Sequence, residues 1–137
     1  MARPLYDYPV PSNFSEHVFK TVEGVEIKLR IWPADEASDG RPRPWVWYAH
    51  GGAWFFGKPQ LPNAWVVPGL RSRGYHVVGI GYRKCPQVWL KDIIDDGMDA
   101  WLWCRDNLEG ILGETAVDID RYVLSGESAG GNIALLV

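Results

Sequence analysis

Val25, Ile27, Leu29 and Ile31 alternate with Glu26, Lys28 and Arg30. That period of two marks a strand with one buried face and one wet face. Glu23-Gly24 separates this run from His17–Val22, so the two segments are expected to pair as an antiparallel hairpin. A Pro-rich arm over residues 1–15 precedes it, and Asp35 to Pro44 is a polar loop. Beyond that loop the pattern changes. Trp45–Ala49, Tyr75–Tyr82 and Tyr122–Ser125 are short apolar runs suited to strands covered on both faces. Helical spacing fills the gaps: one helix is expected near Asn63–Ser72. In a second, Ile93, Gly97, Trp101, Cys104 and Leu108 recur at steps of three and four. Asp92, Asp95, Asp96 and Asp99 occupy the rest of that helix and read as a solvated face whose early acids suit the helix dipole, in preference to a metal site. Strands alternating with helices imply crossovers over a parallel sheet with helices on both sides. The expected class is therefore α/β: an N-terminal antiparallel hairpin, then parallel strands with flanking helices, forming one domain over residues 16–137.

In such folds reactive groups gather at the carboxyl ends of the strands, and two glycine-rich segments fall there. Gly126-Glu127-Ser128-Ala129-Gly130 follows the run ending at Ser125. A strand that reverses sharply into a helix needs glycine two residues either side of the serine, and Gly126 and Gly130 meet that demand. Asn132 to Val137 reads as the start of the helix, whose positive end would face Ser128. Taken alone, the pentapeptide also fits an ordinary turn with a capping serine. The second segment, His50-Gly51-Gly52-Ala53-Trp54, directly follows Trp45–Ala49. Acyl transfer builds negative charge on a carbonyl oxygen, which requires main-chain amides fixed around it in advance, and a glycine pair after a strand can expose them.

On these residues the chain resembles the hormone-sensitive-lipase-like branch of the α/β-hydrolases. The resemblance runs from about Val46 to Val137. It rests on His50–Trp54, on Tyr82-Arg83 followed by Pro86, and on Val117–Arg121 leading into Gly126–Asn132. It implies that Ser128 is a nucleophile and that an oxyanion hole forms from the Gly51, Gly52 and Ala53 loop with the amide of Ala129. His50 would help shape that loop. It also implies a carboxylic ester as small-molecule substrate and no cofactor or metal. Gly81 stands where the family usually has Asp, Lys84-Cys85 replaces Leu-Ala, and Glu127 replaces the commoner Asp. Kynurenine formamidases share a similar loop and elbow, and gibberellin receptors use the scaffold without catalysis. An amidase or a binding protein are thus the alternatives.

A serine hydroxyl needs a histidine to accept its proton and an acid to orient that histidine. In this fold both follow the serine along the chain. Ala129 to Val137 contains neither, and His17, His50 and His76 all precede Ser128. His17 and His76 read as structural. The expectation is an α/β-hydrolase fold truncated after the nucleophile elbow, with little turnover by these residues alone.

The composition narrows the remaining classes. A 47% hydrophobic content with eight tryptophans excludes disorder, and a net charge of −3 with dispersed lysines and arginines gives no case for nucleic acid. Of the tryptophans, Trp54 beside the oxyanion loop could line an acyl pocket, whereas Trp45, Trp47, Trp101 and Trp103 read as core. Cys85 and Cys104 have no metal-ligand spacing and read as reduced thiols. No stretch approaches a membrane span and the N-terminus lacks a signal-like apolar region, so a cytoplasmic location is expected. One rival motif, Gly52 to Lys58, satisfies the glycine and lysine spacing of a phosphate loop. Pro59 stands where that loop needs Ser or Thr, which argues against nucleotide binding.

Overall fold

The computed structural model describes residues 11–35, 39–58, 62 and 65–137. Most of the N-terminal arm, Pro59 and the first residues of the helix expected from Asn63 lie outside these. The hairpin forms as expected from β1 (Ser15–Val22) and β2 (Val25–Trp32), turned at Glu23-Gly24 and bulged between Val18 and Lys20. The strands β3 (Arg43–Ala49), β4 (His76–Ile80) and β5 (Val117–Gly126) alternate with α1 (Val66–Arg71), α2 (Leu90–Leu112) and α3 (Ala129–Leu136).

The sheet runs in the order β1-β2-β4-β3-β5. The β1/β2 and β2/β4 pairs are antiparallel, and β4/β3 and β3/β5 are parallel. Alternation along each strand sorts side chains onto two faces. Leu29, Ile31, Trp47, Val78 and Ile80 pack with Ile93, Ala100, Cys104 and Leu108 of α2 and Ile133 of α3. Trp32 and Val77 point the other way, onto Val67 of α1. Burial of these apolar faces at about 25 cal/mol per Å² drives the layering. Helix α2 reaches α3 directly at Gly97, where an added Cβ would lie 2.9 Å from the Ile133 Cγ2 and 3.0 Å from the Val137 Cγ2.

Trp45 and Trp47 are wholly buried, while Trp54, Trp101 and Trp103 are half-buried against the same core. Cys85 and Cys104 are free thiols. Strand β5 starts at Val117, five residues before the apolar run that the sequence reveals. Its first half alternates Val117 and Ile119 with Asp118 and Asp120, the period of two that gives a strand one wet face.

One expectation fails. The acids of α2 are not a uniformly solvated face: Asp96 is fully buried. It follows Ile93 by three residues and precedes Ala100 by four, which places it on the apolar stripe. Its neighbours behave as surface acids, with Asp92 accepting from the Trp89 amide at 2.9 Å and Asp95 pairing with Lys91 at 2.6 Å.

Candidate active site

Parallel pairing fixes where the chain leaves each strand. Ala49 is the register partner of Gly126, so the segments that begin at His50 and Glu127 emerge at one level on strands about 4.8 Å apart. They touch. The Glu127 amide donates to the Ala49 carbonyl at 3.3 Å. A Cβ at Gly51 would lie 3.2 Å from the Glu127 oxygen and 3.4 Å from the Ser128 Cβ. The structure thus brings Gly51, Gly52, Ala53, Ser128 and Ala129 to one rim of the sheet.

Ser128 is exposed, with φ +50° and ψ −121°. A non-glycine residue held there costs roughly 1–3 kcal/mol, so the surroundings must over-determine it. They do so through main-chain bonds from Gly130 to the Glu127 carbonyl (2.8 Å) and from Asn132 to the Ser128 carbonyl (3.2 Å). Close packing completes the constraint: a Cβ at Gly130 would sit 2.6 Å from the His50 oxygen, and one at Gly126 would collide with the Gly130 carbonyl. Ser128 is the N-cap position of α3 but makes no side-chain capping bond. Its hydroxyl is therefore not a cap. The Ala129 N–H opens the helix, where amides have no intrahelical acceptor.

Gly52, Ala53 and Trp54 form a run of positive φ at +131°, +51° and +64°. The Phe55 and Phe56 amides both donate to the Gly52 carbonyl at 2.9 Å, which holds this turn. Because a trans peptide sets its N–H opposite its carbonyl, the Ala53 amide points away from those two donors. The same logic applies one residue earlier. His50 Nδ1 lies 2.7 Å from the Gly51 carbonyl. Since a carbonyl only accepts, Nδ1 carries the proton and the Gly52 amide faces away from the ring. Among the described residues neither amide has an acceptor.

The His50 ring is itself fixed. It is 2% exposed and stacks on Tyr82 with centroids 4.4 Å apart and 11° between planes. The Tyr82 hydroxyl donates to the His50 carbonyl at 2.8 Å. Burial, aided by the charge of Lys84 and opposed by the Gly51 bond, pushes the His50 pKa down to about 4, so the ring is neutral at pH 7. Burial likewise raises the Tyr82 hydroxyl to about 12, with the charge of Glu127 adding to it. Behind Tyr82 stands the residue that the sequence pattern hid. Asp96 accepts from the Arg83 amide at 3.0 Å, from its Nε at 2.9 Å and from its terminal nitrogen at 2.8 Å, and pairs with Lys20 at 2.9 Å. Its place on the apolar stripe of α2 was the available signal.

The other histidines lie elsewhere. His76 opens β4 opposite Trp45, at the far end of the sheet, and both its nitrogens are bonded, to the Ala34 amide and the Ala116 carbonyl, each at 2.9 Å. His17 sits in β1 and bonds Ser15 at 2.9 Å.

A serine exposed at a strained strand-to-helix turn, beside a glycine loop at the carboxyl edge of a parallel sheet, has the elbow geometry of the α/β-hydrolase class. Residues 46–137 match the family model described as alpha/beta hydrolase fold, and the chain belongs to that family. It is 24% identical over 127 residues to the ethyl acetate hydrolase of Pseudomonas putida, covering 93% of this chain and 39% of that protein. An arylesterase of Saccharolobus solfataricus is 31% identical over 113 residues, covering 82% and 34%. Among solved structures, the butyrate-bound esterase Est2 of Thermogutta terrifontis superposes with a TM-score of 0.75 at 27% identity, covering 90% of this chain and 43% of that one. The same esterase phosphorylated by paraoxon gives 0.71 at 28% identity, covering 96% and 49%. The chain thus spans less than half the length of each. Among the described residues no helix is long and apolar enough to cross a membrane.

Proposed function

We propose that the whole protein is a serine hydrolase of carboxylic esters, with Ser128 as nucleophile and the Gly51–Ala53 loop and the Ala129 amide as the oxyanion hole. The observation that carries this reading is the exposed, strained Ser128 packed against Gly51, with the Gly52 and Ala53 amides lacking an acceptor among the described residues. In the reaction the Ser128 Oγ adds to the ester carbonyl carbon. The carbonyl oxygen takes up negative charge between the amides, and the C–O bond to the alcohol breaks as that alcohol receives the serine proton. Water then releases the acid from Ser128 by the reverse sequence. The alkanoate in the Thermogutta complex and the relatives that hydrolyse esters favour short acyl esters as substrates.

Proton transfer requires a base, and we assign that role to none of His17, His50 and His76. The first and last lie away from the elbow, and His50 is fixed neutral in the loop. Turnover by these 137 residues alone is therefore expected to fall short of a complete triad by several orders of magnitude, on the order of 10⁶.

Paraoxon gives the direct test in the whole protein, since it phosphorylates the Thermogutta esterase. Peptide mass spectrometry is expected to find one diethylphosphoryl adduct, on Ser128, together with loss of p-nitrophenyl butyrate hydrolysis. The Ser128→Ala variant should neither be labelled nor hydrolyse the ester. Hydrolysis that survives this substitution, or an adduct on another serine, would overturn the assignment.

A further inference from the structure

Where the start of β2 meets the loop after β4, two cavities of about 400 and 300 Å³ adjoin, sharing Val25, Arg83 and Lys84 in their walls. The charges around them do not balance. The larger cavity holds two acids, and both already face cations. Glu16 accepts from Arg30 at 2.8 Å and lies 3.7 Å from Lys28, while Glu26 lies 3.8 Å from Lys28. Arg83 is committed to Asp96. Lys58 and Lys84 also line this cavity, and neither forms an ion pair among the described residues.

Lys58 is exposed, whereas Lys84 is half-buried. The Lys84 ammonium donates to the Tyr82 carbonyl at 2.7 Å and sits 4.6 Å from the centre of the Tyr82 ring. One bond leaves two of its three N–H groups without a protein acceptor among the described residues. Burial lowers its pKa from the usual lysine value, and the attraction of Asp96, already shared by Arg83 and Lys20, only partly opposes this. A cation drawn out of water without a counter-ion is costly, and a bound anion would relieve that cost. The smaller cavity supplies the complement: Val22, Val25 and Val88 line it, with Val25 54% exposed, and its one acid, Glu23, offsets only one of the two lysine charges.

We propose that this cleft binds a carboxylate with a short aliphatic body, its charge on Lys84 and Lys58 and its chain on Val22, Val25 and Val88. A phosphate is a poorer match. Phosphate sites use an arginine fork or a cradle of free amides, and the arginines here are committed to Asp96 and Glu16. Two point charges beside an apolar wall suit a monoanion with a tail. Neither cavity is lined by Ser128 or by Gly51–Ala53, so the site is tested by binding and not by turnover.

The experiment is a titration of ¹⁵N-labelled protein with hexanoate, with hexanamide as the uncharged match. Saturable amide shifts are expected at Val22–Ile27 and Lys84–Val88 with hexanoate. Hexanamide, which keeps the chain and loses the charge, should bind about tenfold more weakly. Lys84→Leu removes the charge, keeps an aliphatic side chain and should weaken hexanoate by a similar factor. Lys58→Met should weaken it less, and Lys91→Met, on the exposed face of α2, should leave it unchanged. Equal binding of hexanoate and hexanamide, undiminished affinity in Lys84→Leu, or shifts confined to Gly51–Ala53 and Ser128 would each overturn the proposal. The comparison of the two ligands needs no variant, so a folding defect in Lys84→Leu would not rescue it.

Discussion

Replacing Asp96 by Asn keeps the shape of the side chain and removes its charge, which isolates what a buried carboxylate does for this fold. Asp96 has a fully buried side chain that accepts from three Arg83 donors and makes one contact with Lys20. The amide presents one oxygen and one NH₂ to a ring of donors, so at least one contact becomes repulsive and the charge assistance is lost throughout. Removing one partner of a buried pair costs about 3–5 kcal/mol. The lower end applies here, because Lys20 keeps Asp99 at 2.6 Å and the Arg83 side chain, 17% exposed, can turn partly to water. A loss of about 3 kcal/mol in a chain of 137 residues corresponds to a fall in Tm of roughly 10 °C. Calorimetry at pH 7 measures it, and 0.5 M NaCl should change the difference little, since buried pairs are weakly screened. Asp95→Asn is the control: its partner Lys91 is 81% exposed, and no measurable change in Tm is expected. A fall in Tm under about 3 °C, or one that salt abolishes, would refute the idea that this carboxylate anchors the loop carrying Tyr82 and Arg83.

Gly130→Ala would place a Cβ 2.6 Å from both the Ala49 carbonyl carbon and the His50 oxygen, with main chain on each side. It should cost about 2 kcal/mol or more in urea unfolding, whereas Gly110→Ala, in open space on α2, should gain about 1 kcal/mol. Acid should weaken the fold through His50: its folded pKa of about 4 lies below the ordinary 6.5, so the unfolded chain takes up the proton first. Stability is then level above about pH 7, declines as pH falls from 6.5 to 4 by about 3 kcal/mol, and levels off below that. The lowered His76 contributes with the same sign. Urea midpoints at pH 7.0, 5.5 and 4.5 check this, and a flat profile would contradict neutral burial of both rings.

Period-two alternation gave away the hairpin, and continuous apolar runs located β3 and β4, because these signals reside in neighbouring residues. The elbow was legible for the same reason: a reversal that excludes a Cβ at two places leaves glycines at 126 and 130. Three things were not legible. The order β1-β2-β4-β3-β5 depends on contacts far apart in sequence. The left-handed turn at Ala53 and Trp54 is unreadable because neither residue favours positive φ. It exists because the Phe55 and Phe56 amides converge on the Gly52 carbonyl. Asp96 was hidden among three half-exposed acids, and only its i+3 and i+4 relation to Ile93 and Ala100 distinguished it.

These hidden features form one connected support for the candidate site. Asp96 on α2 fixes Arg83, and Arg83 fixes the loop that stacks Tyr82 on His50. His50 bonds the Gly51 carbonyl, and Gly51 lies against Ser128. Asp96, Tyr82 and His50 are buried, so the strain at Ser128 is opposed by packing that begins on a helix behind the sheet. Substitutions along this path should then be non-additive: once Asp96→Asn has loosened the Tyr82 loop, the His50 ring is less confined, and the further cost of Gly130→Ala should shrink. A double mutant whose loss equals the sum of the single losses within about 0.5 kcal/mol would show instead that elbow and helix are braced independently.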